Sequence, residues 1–232
     1  MSSGAATSVA SRFGTRNGLA YGLLGLPLAF VALPLYVILP NHYAREFGVP
    51  LATLGAVLLG ARLFDAFIDP LLGRLSDRLF ARSARAVLGL GAVAAVLLAV
   101  GFALLFFPMV SAPAALVLWA SLMLLVTYAG YSALSVAHQS WGAMLGGDER
   151  QRSRIVAWRE GLGLVGVVLA SITPVLLGLP VTTALFFVAL AAGFWAWCRA
   201  ERPEARAREA GHAVSIWLPF QQKGFRRLLA VF

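Results

Sequence analysis

Apolar residues run along this chain in long blocks, and the polar residues gather between them. Six blocks are long enough to cross a bilayer, which takes about 20 helical residues. They predict helices over roughly 17–39, 50–76, 86–107, 113–143, 155–178 and 181–199. The second, at about 26 residues, would be about 39 Å long and can cross with tilt to spare. Phe107, Pro108 and Pro113 separate the third and fourth blocks; Gly178, Leu179 and Pro180 separate the fifth and sixth. Such short turns make consecutive helices antiparallel neighbours.

Composition agrees with a membrane protein. Of 232 residues, 60% are apolar and 12% charged, where a soluble domain carries about a quarter. The net charge of +9 invites a nucleic-acid reading. The arginines sit between the apolar blocks, however, and make no continuous basic face, so no nucleic-acid partner is expected. Cys198 stands alone and offers neither a disulfide nor a thiolate metal cluster. The first apolar run lacks a small-residue cleavage site at its end, so residues 1–16 read as a cytoplasmic N-terminal segment and not as a signal peptide.

Arginine sets the orientation. Arg74, Arg78, Arg82 and Arg85 lie between blocks two and three, and Arg150, Arg152 and Arg154 between four and five. Arg199, Arg202, Arg206 and Arg208 follow block six, while the opposite loops carry little beyond Arg45. By the positive-inside rule both ends face the cytoplasm of a bacterial inner (plasma) membrane. Residues 17–199 are then the bundle and 200–222 a cytoplasmic linker. Residues 223–232 read as the truncated start of a seventh helix, so the chain is expected to be a fragment or a truncated gene product.

The second block holds Arg62, Asp65 and Asp69, charges that are expensive in lipid. Asp65 and Asp69 are four apart and Arg62 is three before Asp65, so all three share one side of a helix. Two carboxylates so placed repel unless a cation lies between them. They are candidate ligands for Na⁺, or for a shared proton. In the plainer reading, Arg62 neutralises Asp65 and the trio only locks the bundle. Pro70 adds a local irregularity that can expose backbone carbonyls. Gly73 permits close helix approach. Asp77 and Arg78, at the cytoplasmic end, can make a gating contact with a neighbouring helix or lie solvated.

The fourth block carries Tyr128, Tyr131, Ser132, Ser135, His138 and Gln139. Tyr131, Ser135, His138 and Gln139 fall on one polar stripe at helical spacing. Ser135 can add a hydroxyl to the cation ligands, and Tyr131, His138 and Gln139 can bind a polar solute. The alternative is interhelical hydrogen bonding, worth about 0.6–2 kcal/mol per contact. Arg159 and Glu160 begin the fifth block; being adjacent, they are expected to point to different faces. Arg159 can reach a solute in the cavity or snorkel to the headgroups. Glycines at 14, 18 and 22, and at 161, 163 and 166, suit close helix packing. The six tryptophans read mostly as interface anchors. No nucleophile, base and orienting group recur at a catalytic spacing, so the chain is not read as an enzyme. No cofactor is expected beyond a coupling ion.

The segment ARLFDAFIDPLLGRLSDR resembles the signature of the glycoside–pentoside–hexuronide:cation symporters, the melibiose-permease branch of the major facilitator superfamily. Their second helix carries D-A-x-x-D-P-x-x-G-x-x-x-D, met here by Asp65, Asp69, Pro70, Gly73 and Asp77. YSALSVAHQSWGAML, DERQRSR and WREG resemble the family's fourth helix, the loop after it and the start of its fifth helix. The resemblance implies an all-α fold, the six-helix N-terminal half of a twelve-helix transporter. It implies that Asp65, Asp69 and Ser135 hold Na⁺ or H⁺ and that Arg159 contacts sugar. His138 falls where the melibiose permease has a sugar-binding aspartate, so one carboxylate grip on sugar hydroxyls is missing. The expected function is cation-coupled symport of a sugar, glycoside or similar small polar solute. The expected partners are solute, cation, bilayer, and either a missing C-terminal half or a second copy. The alternatives are a non-transporting membrane scaffold and a transporter of lipid-like solutes.

Overall fold

The structure, a computed structural model, describes residues 13–203. Among them are five long apolar helices and no strand. They are α1 (Thr15–Phe47), α2 (Leu51–Arg82), α3 (Ala84–Phe106), α4 (Pro113–Met144) and α5 (Glu149–Cys198), each long and apolar enough to cross a membrane. The all-α membrane architecture expected from the apolar blocks is present. The seventh-helix start at 223–232, most of the linker at 200–222, most of the segment at 1–16, and Trp217 lie outside the described residues.

The fifth and sixth blocks are both contained in α5, which doubles back at Gly178. There φ is 76° and ψ 169°, a conformation open to glycine. Pro174 and Pro180 withdraw donors on either side, and the Thr182 hydroxyl donates to the Gly178 carbonyl at 2.8 Å. A straight helix would set Gly166 and Gly193 about 40 Å apart. Both instead pack on α1 around residues 24–26, Gly166 against the Leu26 carbonyl and Gly193 against Leu24. α5 thus supplies two antiparallel arms.

α1 is irregular where proline removes a donor. Pro27 cannot bond the Leu23 carbonyl, which accepts from Leu26 instead at 3.2 Å, a tightened turn. Pro34–Ile38 forms a wide π turn, closed by the Leu39 N–H on the Pro34 carbonyl. The helix then continues past the expected end near residue 39 to Phe47, because its polar last turns still pack on α3. There the Tyr43 hydroxyl donates to the Leu105 carbonyl at 2.9 Å, and His42 Nε2 meets the Phe106 carbonyl at 3.2 Å. Gly48, with φ 67°, ends it.

The loop expected between the second and third blocks shrinks to Ser83, whose hydroxyl caps α3 by accepting from the Ala86 N–H at 3.1 Å. Arg74, Arg78 and Arg82 are therefore helical. Asp148 caps α5 in the same way, accepting from Gln151 at 2.8 Å.

Two close pairs organise the bundle: α1 along α5, and α3 along α4, with α2 leaning on α4. α2 buries a single stripe, Leu54, Ala61, Asp65, Ser76 and Phe80, while Leu59, Leu63, Phe67 and Leu71 stay exposed. Trp141 and Trp197 depart from their reading as interface anchors. Both are fully buried, with rings 5.3 Å apart, because α4 and the second arm of α5 close over them.

Candidate functional site

α4 presents polar residues in two directions. Tyr128 and Ser132, four apart, face α2; Tyr131 and Ser135, three residues further on, face α1 and α5. Two clusters result.

The first surrounds Asp65, the one buried carboxylate among the described residues. Its Oδ1 accepts a hydrogen bond from the Ser132 hydroxyl. Its Oδ2 faces Arg62 Nη1 at 3.6 Å. The Arg62 guanidinium carbon stands 4.5 Å from the centre of the Tyr36 ring and 5.6 Å from that of Tyr128. The two rings are stacked at 6.3 Å. Tyr36 reaches this place from the π turn of α1, a type of turn frequent at functional sites.

Asp69 lies one turn further along α2. α4 covers Asp65 and leaves Asp69 exposed, with no ion pair or hydrogen bond to a described residue. Pro70 leaves α2 unbroken, but its missing N–H deprives the Ala66 carbonyl of an intrahelical donor. Among the described residues no three His, Cys, Asp or Glu side chains converge as metal ligands. An ion here would rest on carboxylate, hydroxyl and carbonyl oxygens.

The second cluster lines a cavity of about 440 Å³, counting the space open at its mouth. It gathers Tyr131, Ser135, His138, Gln139, Arg159 and Glu160. Ser135, expected beside the carboxylates, lies here, and its hydroxyl accepts from Gln139 Nε2 at 2.9 Å. Arg159 and Glu160 were expected on different faces. Their side chains instead bend together: Arg159 Nε and Nη2 donate to Glu160 Oε1 at 3.0 and 2.5 Å. Tyr131 borders both clusters, lying within electrostatic reach of Tyr36, Arg62 and Asp65.

His138 is fully buried. Its Nε2 lies 2.8 Å from the Tyr21 carbonyl, and the Tyr21 hydroxyl donates back to the His138 carbonyl at 3.1 Å. The rings stack at 4.3 Å, with Trp197 edge-on at 5.6 Å. A carbonyl only accepts, so Nε2 carries the proton and Nδ1 holds a lone pair. Nδ1 has no partner among the described residues.

Of the residues read as gating or structural, Arg62 sits in the first cluster, while Gly73, Asp77 and Arg78 lie apart from both. A Cβ on Gly73 would meet nothing within 4 Å, so no described helix makes the close approach expected there. Asp77 and Arg78 are exposed, and neither pairs with a described residue. Sequence reasoning missed Tyr36 and Tyr21. The available signal for Tyr36 was a polar-tipped aromatic between Pro34 and Pro40. For Tyr21 it was the flanking Gly18 and Gly22, which bring α5 close.

Chemically, the first cluster offers a fixed anion flanked by aromatic faces, an arrangement that holds cations. The second offers donors and acceptors around a cavity open at its mouth. A family model described as MFS/sugar transport protein matches residues 18–218 and so spans both clusters. No curated protein and no solved structure matches the chain.

Proposed function

The chain belongs to the MFS/sugar transport protein family, a family of membrane transporters, and on that premise we propose that it is a symporter. It moves a sugar, glycoside or similar small polar solute together with Na⁺ or H⁺. The observation that carries this reading is a buried carboxylate, Asp65, capped by Ser132 and set one helix face away from an open, polar-lined cavity. Asp65 holds the coupling ion, with Asp69 supplying a second charge and Ser132 the hydroxyl. Ser135, Tyr131, Gln139 and Arg159 line the solute's side, and His138 bounds it. The resemblance to the glycoside–pentoside–hexuronide:cation symporters supports the roles of Asp65, Asp69 and Arg159, but it sets Ser135 with the ion, where this reading has Ser132.

Arginine loading supports cytoplasmic ends, and we place the chain in a bacterial inner membrane as part of the same reading. The exposed Asp69 would be costly against lipid. A second set of helices, either further chain or another copy, is therefore the surface that covers α2 in the working transporter.

Uptake into liposomes tests the reading. Asp69→Asn is expected to abolish cation-driven solute uptake while insertion into the membrane stays normal. If cation dependence survived neutralisation of both Asp65 and Asp69, the assignment of the ion site would be wrong. A panel of sugars, glycosides, uronides and amphiphiles identifies the solute.

A further inference from the structure

We propose that Arg62 is a tethered internal cation occupying the seat of the coupling ion, so that an alkali cation from solution binds Asp65 only when the Arg62 guanidinium leaves. The proposal rests on the reading of Asp65 as the ion site.

The geometry separates a fixed partner from a removable one. The Asp65 side chain is 9% exposed and held by the Ser132 hydroxyl. The Arg62 side chain is 51% exposed, and its nearest nitrogen is 3.6 Å from the carboxylate, beyond good hydrogen-bond distance. The guanidinium is held largely through the rings of Tyr36 and Tyr128, at 4.5 and 5.6 Å. Aromatic faces attract cations by their quadrupole. Half-exposed and 3.6 Å away, Arg62 is the partner that can leave, while Asp65 stays in place.

The two occupancies compete for one oxygen. Oδ1 of Asp65 is taken by the Ser132 hydroxyl and Oδ2 faces Arg62. With Arg62 seated, a second cation at Oδ2 meets the guanidinium's repulsion, and the negative charge left over in the cluster is that of the exposed Asp69. With Arg62 swung into the open, the buried carboxylate lacks a counter-ion and recruits one. Ion binding is then coupled to movement of a single side chain on α2, against rings contributed by α1 and α4.

The test is Na⁺ titration of the full chain in nanodiscs, read as the shift of its thermal unfolding midpoint, with choline as the inert cation. Arg62→Ala is expected to lower the half-effective Na⁺ concentration roughly tenfold, equivalent to about 1.4 kcal/mol. Millimolar guanidinium, a soluble copy of the missing side chain, is expected to raise it again in Arg62→Ala but not in the wild type. Arg62→Lys keeps the charge without the planar group and should fall between them. If Arg62→Ala does not fold, the comparison is made with Arg62→Gln.

An unchanged or weaker Na⁺ response on removing Arg62, or no competition by guanidinium, overturns the inference alone. A Na⁺ response that survives in Asp65→Asn overturns the ion-site reading with it. If Na⁺ is silent in every variant, the inference falls, while the uptake assay still decides whether protons drive symport.

Discussion

The Asp65 cluster and the α1–α5 seam are both contacts between spanning helices, yet they are built on opposite principles. At the seam, backbone lies against backbone. Gly22 faces the Trp158 carbonyl, Gly25 the Arg159 carbonyl and Gly166 the Leu26 carbonyl, each leaving no room for a methyl group. Beside it, Tyr21 and His138 exchange two hydrogen bonds and stack. Around Asp65 the contacts are made by side-chain tips, one of them a half-exposed arginine at 3.6 Å. Dispersion and close packing forbid small displacements. Charge and ring contacts tolerate exchange of partners. The seam is therefore the rigid part of the molecule, and the Asp65 cluster the part whose occupancy can change.

Breaking this contrast should give effects that differ in kind. Asp65→Asn keeps an acceptor for Ser132 but removes the charge. It is expected to eliminate cation-driven uptake while the unfolding midpoint in detergent stays within a few degrees of the wild type; a collapse of the fold would show that the cluster is structural. Gly166→Leu is expected to do the reverse. Overpacking costs about 1–3 kcal/mol or more, and here the obstacle is a carbonyl with little freedom to shift. Fluorescence-detected size exclusion after heating should show the loss, whatever the cation present.

Tyr21→Phe sharpens the comparison by removing one hydrogen bond from the rigid side. Interhelical bonds of this kind average about 0.6 kcal/mol in a membrane protein. A modest drop in unfolding midpoint is expected, with the cation concentration dependence unchanged. The smallest effect should come from Gly73→Ala. The space there is open, and alanine gains about 0.5–1 kcal/mol over glycine within a helix. Equal or slightly higher thermal stability is expected. A fall in uptake without a fall in stability would reveal a helix that comes close only in another state of the transport cycle.

The spanning segments were legible because lipid demands long apolar runs, and even the reversal at Gly178 was marked by Gly-Leu-Pro. Helix ends were less legible. Residues 40–47 are polar enough to suggest a loop, yet they stay helical because Tyr43 and His42 find carbonyls on α3. The polar stripe of α4 could be read from spacing, and the structure gathers its members around one cavity with Arg159 and Glu160. What spacing could not supply was rotation of one helix against another. Ser132 and Ser135 look equivalent along the chain, but only Ser132 meets Asp65. Tyr36 is far from Arg62 in sequence and becomes its neighbour only through packing of α1. Trp141 and Trp197 misled for a related reason: residues near helix ends resemble interface anchors until another helix closes over them.

The π turn at Pro34–Ile38 behaves as an extra residue absorbed into the helix without a loop. Each residue advances a regular helix by about 100°, so one surplus residue re-phases all that follows. Tyr36 sits inside that turn, and His42 and Tyr43 lie beyond it. The grip of α1 on α3 and the ring beside Arg62 therefore share one geometric origin. Shortening this stretch by a single residue would rotate His42 and Tyr43 away from α3 and misalign Tyr36, although hydropathy would be almost unaltered. The length of this segment, more than the identity of its apolar residues, is the property on which both contacts depend.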